Sequence, residues 1–161
     1  MTEQKCLAKE GKYLTFALGH EDYGLEILKV REIIGMMAIT AVPQVPAYVK
    51  GVINLRGKVI PVIDLRLKFG MPSIETTMET CIIIIDVHEM LIGIIIEKVK
   101  DVLDIKQEMI EASPNFGANV HTDYILGIGK INTTVKVLLN IEKILSEELT
   151  AAVKTPDKKT E

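Results

Sequence analysis

The chain has no tryptophan, four tyrosines and three phenylalanines, so aromatics make up only 4% of its 161 residues. That supply is too thin for a single-strand nucleic-acid platform, which sets aromatic faces along a basic groove. The seven rings, Tyr13, Phe16, Tyr23, Tyr48, Phe69, Phe116 and Tyr124, stand singly among aliphatic residues, a spacing that suits core positions. A basic surplus is also lacking. Nineteen Lys and Arg against 22 Asp and Glu give a net charge of -3, which argues against nucleic acid or an anionic membrane as partner.

Cysteine and histidine are equally sparse. Cys6 and Cys81 lie far apart and form no CxxC, an economy that fits a reducing cytoplasm. Cys81 opens an apolar strand and reads as core; Cys6 sits in a polar leader. His20, His88 and His121 lack metal-ligand spacing, and the first two fall in turns, so neither a metal nor a cofactor is expected. No GxSxG, P-loop or GxGxxG occurs, and Gly127-Ile128-Gly129 is too short to imply phosphate binding. The carboxylate pairs Glu21-Asp22 and Glu147-Glu148 read as solvated, and Asp86 as a strand end reaching water. With no acid and base partner in view, the expectation is a protein that is not an enzyme. Residues Met1 to Gly11 carry no apolar stretch, and the longest apolar run, Cys81 to Ile96, is interrupted by Asp86, His88 and Glu89. It reads as two strands and a turn, with no direct membrane insertion.

What the chain has is aliphatic residues, in a composition 48% hydrophobic, and a repeat. Shifted by 69, Tyr23 to Ile34 lies over Ile92 to Leu103, with Gly24 on Gly93, Lys29 on Lys98 and Val30 on Val99. Shifted by 76, Tyr48 to Val52 lies over Tyr124 to Ile128, and Val62 to Leu65 over Leu138 to Ile141. Two registers in one order indicate a duplicated β module. Each half is marginal alone at roughly 65 to 70 residues, so the halves are expected to pack together around shared apolar surface, leaving a groove. The reading is a single domain over 1–161: a first subdomain over 12–70, a linker over 71–79, a second subdomain with its closing helix over 80–149, and a flexible tail over 150–161.

Local patterns fill in the modules. Lys12 to Gly19 and Tyr23 to Ile27 alternate as a hairpin, echoed by Thr80 to Val87 and Leu91 to Ile96. Pro43 and Pro46 bracket an irregular passage, followed by a helical turn at Ala47 to Lys50 and a strand at Gly51 to Leu55. Arg56 and Gly57 form a hairpin tip. Lys58 to Ile63 is a second strand, and Pro61 within it predicts an edge position because proline donates nothing to a ladder. Asp64 is placed to cap a short helix through Lys68 that Gly70 ends. Asn140 is placed to cap a closing helix from Ile141 to about Leu149. A second long loop runs from Ala112 to Tyr124.

The passage YVKGVINLRGKVIPVIDLRLKF, Tyr48 to Phe69, closely resembles the signature of the bacterial chemotaxis coupling-protein family CheW, as do YGLEILKVREI from Tyr23 and the KYLTFALG start. The resemblance covers nearly the whole chain. It implies a mainly β fold of two SH3-like barrel subdomains with short helices. It also implies a noncatalytic, cytoplasmic adaptor, recruited to membrane-associated receptor arrays, that bridges chemoreceptor cytoplasmic tips and the regulatory domain of the histidine kinase CheA. Carried over residue by residue, it assigns receptor coupling to Val30, Glu32, Gly51, Asn54, Arg56 and Gly57. Kinase contact is expected at exposed barrel edges, with Val59, Ile60 and Val62 as candidates. Glu32 and Arg56 have opposite charges, so a tip folded against the VREI strand would pair them, adding little stability if exposed. The alternative is a diverged paired-barrel module that scaffolds another signalling complex.

Overall fold

The computed structural model describes residues 8–112 and 122–146. Cys6, His121, most of the loop from Ala112 to Tyr124, the closing helix beyond residue 146 and the tail over 150–161 lie outside them. Two compact units divide the chain: Lys12–Asp104, and a second built on Ile105 onward together with the residues up to Gly11.

The first unit opens with a hairpin of β1 (Gly11–Leu18) and β2 (Glu21–Glu26). Leu18 pairs with Glu21 across a two-residue turn in which Gly19 has φ 63°, the positive value such tight hairpins favour. A 3-10 turn over Ile27–Lys29 leads into β3 (Val30–Gly35). After an irregular passage come β4 (Val49–Leu55), β5 (Lys58–Asp64) and the one-turn helix α1 (Leu65–Lys68). Then follow β6 (Cys81–Val87), β7 (Met90–Ile96) and β8 (Lys98–Ile105). The β6–β7 turn places His88 and Glu89 at φ 53° and 67°, the geometry of a tight hairpin with two left-handed residues.

Five strands form one sheet in the order β3-β6-β7-β5-β4. Strand β3 is antiparallel to β6, and β5 runs parallel to β7. Hydrogen bonding therefore crosses the 71–79 segment, which carries neither strand nor helix. The second-half hairpin β6–β7 is inserted between strands of the first half. The strands β8, β1 and β2 are neighbours in that order, so β8 from the later module lies against β1 of the earlier. Each copy of the repeat has handed its third strand to the other's hairpin.

The core of the five-stranded sheet gathers Ile53, Ile60, Val62, Ile82 and Ile84, with Ile34, Met36 and Leu55 packed against them. Burying each such side chain contributes about 1.5 to 3 kcal/mol. Among the described residues the polar Thr15 is buried at 1% exposure, and it is satisfied: its hydroxyl donates to the Asp101 carbonyl at 2.9 Å and accepts from the Asp101 amide at 3.0 Å.

Pro61 does not lie on an edge strand, because β5 sits between β7 and β4. Two features accommodate it. Opposite Pro61, Val52 directs both its N–H and its C=O away from β5, to Thr40, at 2.9 Å each. On the other side, the ladder with β7 begins only at Val62. No hydrogen bond is asked of the proline nitrogen, so an interior strand tolerates it.

In the second unit a 3-10 turn over Gln107–Met109 precedes β9 (Ile110–Glu111), and another over Thr122–Tyr124 precedes β10 (Ile125–Ile131), β11 (Thr134–Leu139) and α2 (Ile141–Ile144). The order is β11-β10-β9. The fold is mainly β with short helices.

Candidate functional site

The β4–β5 hairpin is shaped by a bulge at its base and a strained turn at its tip. Pairing shifts between Val49 and Gly51, leaving Lys50 as the extra residue. The strand thus starts at Val49, so the expected helical turn is confined to a single bond from the Val49 amide to the Pro46 carbonyl at 2.9 Å. At the tip Arg56 has φ 52° and Gly57 φ 88°. The Asn54 side-chain oxygen accepts from the Gly57 amide at 2.9 Å, which holds the turn.

Arg56 Nη2 donates to Glu32 Oε2 on β3, with the two side chains 67% and 32% exposed. Since β3 and β4 are opposite edges of the five-stranded sheet, this pair brings the two edges together, as a barrel requires. Glu32 is aimed there by a second bulge, in which Val30 pairs with Ile85 and Glu32 with Ile84. The extra residue, Arg31, turns to Asp86 at 3.1 Å, so Asp86 reaches both water and a cation. The VREI strand and the hairpin tip are one surface, with Val30 half-buried beside it.

Gly51 is a different case. It is buried, its φ is 140°, and a Cβ there would stand 2.0 Å from the Thr40 carbonyl oxygen. No partner can touch a side chain at this position; the residue keeps the Thr40 backbone seated on β4. The three candidates on β5 also separate. Val59 is 66% exposed, whereas Ile60 at 1% and Val62 at 0% are core. Ile60 and Val62 are therefore corrected from surface candidates to packing residues. The alternation of a strand carries the signal, since Val59 faces away from Ile60 and Val62.

Exposed apolar positions missed in the sequence complete the description. Ile33 on β3 is 43% exposed and Val102 on β8 50%. They are equivalent across the 69-residue offset. Val135 on β11, 52% exposed, is equivalent to Val59 across the 76-residue offset. The repeat itself would have marked these pairs.

A cavity of about 130 Å³ lies beside α1, lined by Met36, Ile39, Lys50, Arg66, Ile95 and Glu97 among others. Two of its charged groups, Arg66 and Glu97, are engaged in bracing. Arg66 donates to Glu97 and, through Nε, to the Pro72 carbonyl at 2.8 Å, while Glu97 also accepts from the Gly19 amide at 2.8 Å. Burial, and then the Glu21 carboxylate, raise the Tyr23 phenol above its ordinary range, and burial raises the Cys81 thiol. Neither lines the cavity. Tyr23 instead belongs to an aromatic cluster, stacked on Phe16 at 6.0 Å and tilted against Phe69 at 5.8 Å. Among the described residues no group of three or more His, Cys, Asp or Glu is placed to hold a metal ion. No helix among them is long and apolar enough to cross a membrane.

A family model described as the CheW-like domain matches residues 12–149. The chain belongs to the CheW family. It is 39% identical over 142 residues to the chemotaxis protein CheW of Klebsiella aerogenes, covering 88% of this chain and 86% of that one. It is 37% identical over 130 residues to the Bacillus subtilis CheW, covering 81% of each. The solved structure of the scaffolding protein CheW from Thermoanaerobacter tengcongensis superposes with a TM-score of 0.77 at 32% identity, covering 84% of this chain and 92% of that one. CheW membership makes this a chemotaxis scaffold by family and by fold, and two bulged, capped hairpins are its repeated unit.

Proposed function

We propose that this CheW-family chain is a noncatalytic cytoplasmic adaptor that couples chemoreceptor cytoplasmic tips to the regulatory domain of the histidine kinase CheA at receptor arrays. The observation that carries the reading is the Arg56 tip. The tip is a two-residue hairpin turn with both residues left-handed, Arg56 at φ 52° and Gly57 at φ 88°, and the first of them is a long, exposed cation where asparagine or glycine sits more easily. The Glu32 pairing orients the guanidinium while two thirds of the arginine side chain remains open to a partner.

On this reading Val30, Glu32, Asn54, Arg56 and Gly57 make up the receptor-facing surface, with Gly51 supporting it from within. Val59 is the kinase-facing residue on β5. A receptor tip is a helical hairpin, and it is read by apolar contact ringed with polar groups, the mode in which helices lie in grooves.

Titrating the purified protein against a CheA regulatory domain, against a receptor-tip fragment from the same organism and against both together tests the proposal. Binding to each, with a ternary complex, is the expected result. Binding to neither would sink the coupling role and leave a paired-barrel scaffold for another signalling complex.

A further inference from the structure

Between Glu32 and Lys50 the chain carries no charged residue, although a quarter of its residues are charged overall. Yet much of this stretch is surface. Ala38 and the residues from Thr40 to Ala47 are exposed, and Met37, Val42 and Val45 show 36%, 38% and 37% of their area. Depletion of charge together with exposed apolar side chains is the composition of an interface centre.

The segment is also held in place. Thr40 and Val52 exchange backbone hydrogen bonds at 2.9 Å in both directions, and the Val49 amide reaches the Pro46 carbonyl at 2.9 Å. Pro43 and Pro46 restrict the backbone between these ties. A surface ordered before binding loses less entropy on docking. Gly51 makes the arrangement possible, since any side chain there would push against the Thr40 carbonyl and lift the segment from β4.

We propose that the uncharged segment from Met37 to Val45 is a docking lip for the apolar face of the chemoreceptor's helical tip, and that Gly51 is the positioning residue that seats it. This inference rests on the adaptor reading. Continuity favours the receptor as occupant: the lip bridges to β4 at Val52, and the same strand carries Asn54 to the Arg56 tip. A charged partner face would be desolvated here without a counter-charge, so the matching helical surface is apolar where it meets the lip.

The test compares the wild type with a Val42→Ser/Val45→Ser double variant, Gly51→Ala, and Met78→Ser as an exposed apolar control outside the lip. Each is titrated against a receptor-tip fragment and a CheA regulatory domain, with sedimentation to follow self-association. The double variant is expected to lose about tenfold or more in receptor affinity while kinase affinity stays within about twofold. Met78→Ser should bind both partners as the wild type does. Gly51→Ala should weaken receptor binding and speed hydrogen exchange at the Val52 and Thr40 amides. If Gly51→Ala fails to fold, the double variant decides alone, since its two substitutions are at exposed positions. An unaffected double variant, or one that loses kinase binding or self-association instead, overturns the lip. A wild type that binds no receptor fragment overturns the adaptor reading and the lip with it.

Discussion

The hairpins β4–β5 and β10–β11 share one pairing register and carry two surfaces. Every residue pair of the first recurs in the second 76 residues on, from Val49 with Ile63 and Ile125 with Leu139 to Leu55 with Lys58 and Ile131 with Thr134, including the bulge at the base. The bond from the Asp64 amide to the Tyr48 carbonyl at 2.8 Å is matched by Asn140 to Tyr124 at 2.7 Å. Thr40 bridges Val52 as Glu111 of β9 pairs with Ile128. Even the left-handed tip residue repeats, with Arg56 at φ 52° and Asn132 at φ 56°. What has not been kept is the side chain there, together with the second left-handed residue of the tip, Gly57 at φ 88°, which Thr133 does not match. Asparagine tolerates that conformation, arginine less so, and the hairpin with the arginine also has the Glu32 brace. Shared features report what the fold needs; the departures report what this hairpin is for.

Substitution at the glycines should separate fold from function most strongly. Gly51→Ala places a methyl group against the Thr40 carbonyl at a positive φ and is expected to destabilise by about 3 kcal/mol. In the other hairpin the nearest atom to a Cβ on Gly129 is Ile105 Cδ1 at 3.4 Å, so Gly129→Ala should cost less than about 1 kcal/mol. Urea denaturation of both variants checks this, and equal losses would contradict the close approach at Thr40.

The kinase candidate offers the next contrast. Val59→Asp should lower affinity for the CheA regulatory domain about tenfold while sparing receptor binding, because the side chain is exposed and no core contact is lost. The same change at Val135 is its pair. Equal loss from both would mean that the interface follows the repeated backbone and not the difference.

Helix caps probe the shared part with a smaller effect. Asp64 accepts from the Arg66 and Leu67 amides at 3.0 and 3.4 Å, while Asn140 accepts from Lys143 at 3.2 Å. Alanine at either should reduce stability by about 1 kcal/mol, slightly more at Asp64. A cap that makes no difference to the thermal midpoint would remove that residue from the common framework.

Both caps and the Arg56-Gly57 tip were legible in the sequence because each depends on neighbours within a few residues, and the duplication because it repeats at offsets of 69 and 76; the opposite charges of Glu32 and Arg56 gave their pairing only on the condition that the tip folds against the VREI strand. The exchange of β3 and β8 between modules was not legible. It is decided by which edges pair over long separations, and a run such as Val30 to Gly35 pairs equally well by pattern with several hairpins. Pro61 misled for the same reason: its local rule is sound, but the hydrogen bonds it omits are set by Thr40 and by where β7 begins. Ile60 and Val62 were apolar enough for an interface and for a core, and the strand alternation that sends them inward was the clue to use.

The measurement closest to the central claim is Arg56→Asn, which gives the first hairpin the tip residue of the second. Thermal unfolding and receptor-tip affinity would be read on the same preparations. Relief of the left-handed strain should offset the lost exposed ion pair, leaving stability within about 1 kcal/mol of the wild type, while receptor affinity falls about tenfold or more. Full receptor affinity in a stable Arg56→Asn protein would contradict the account, because the arginine would then be only a brace between two strands.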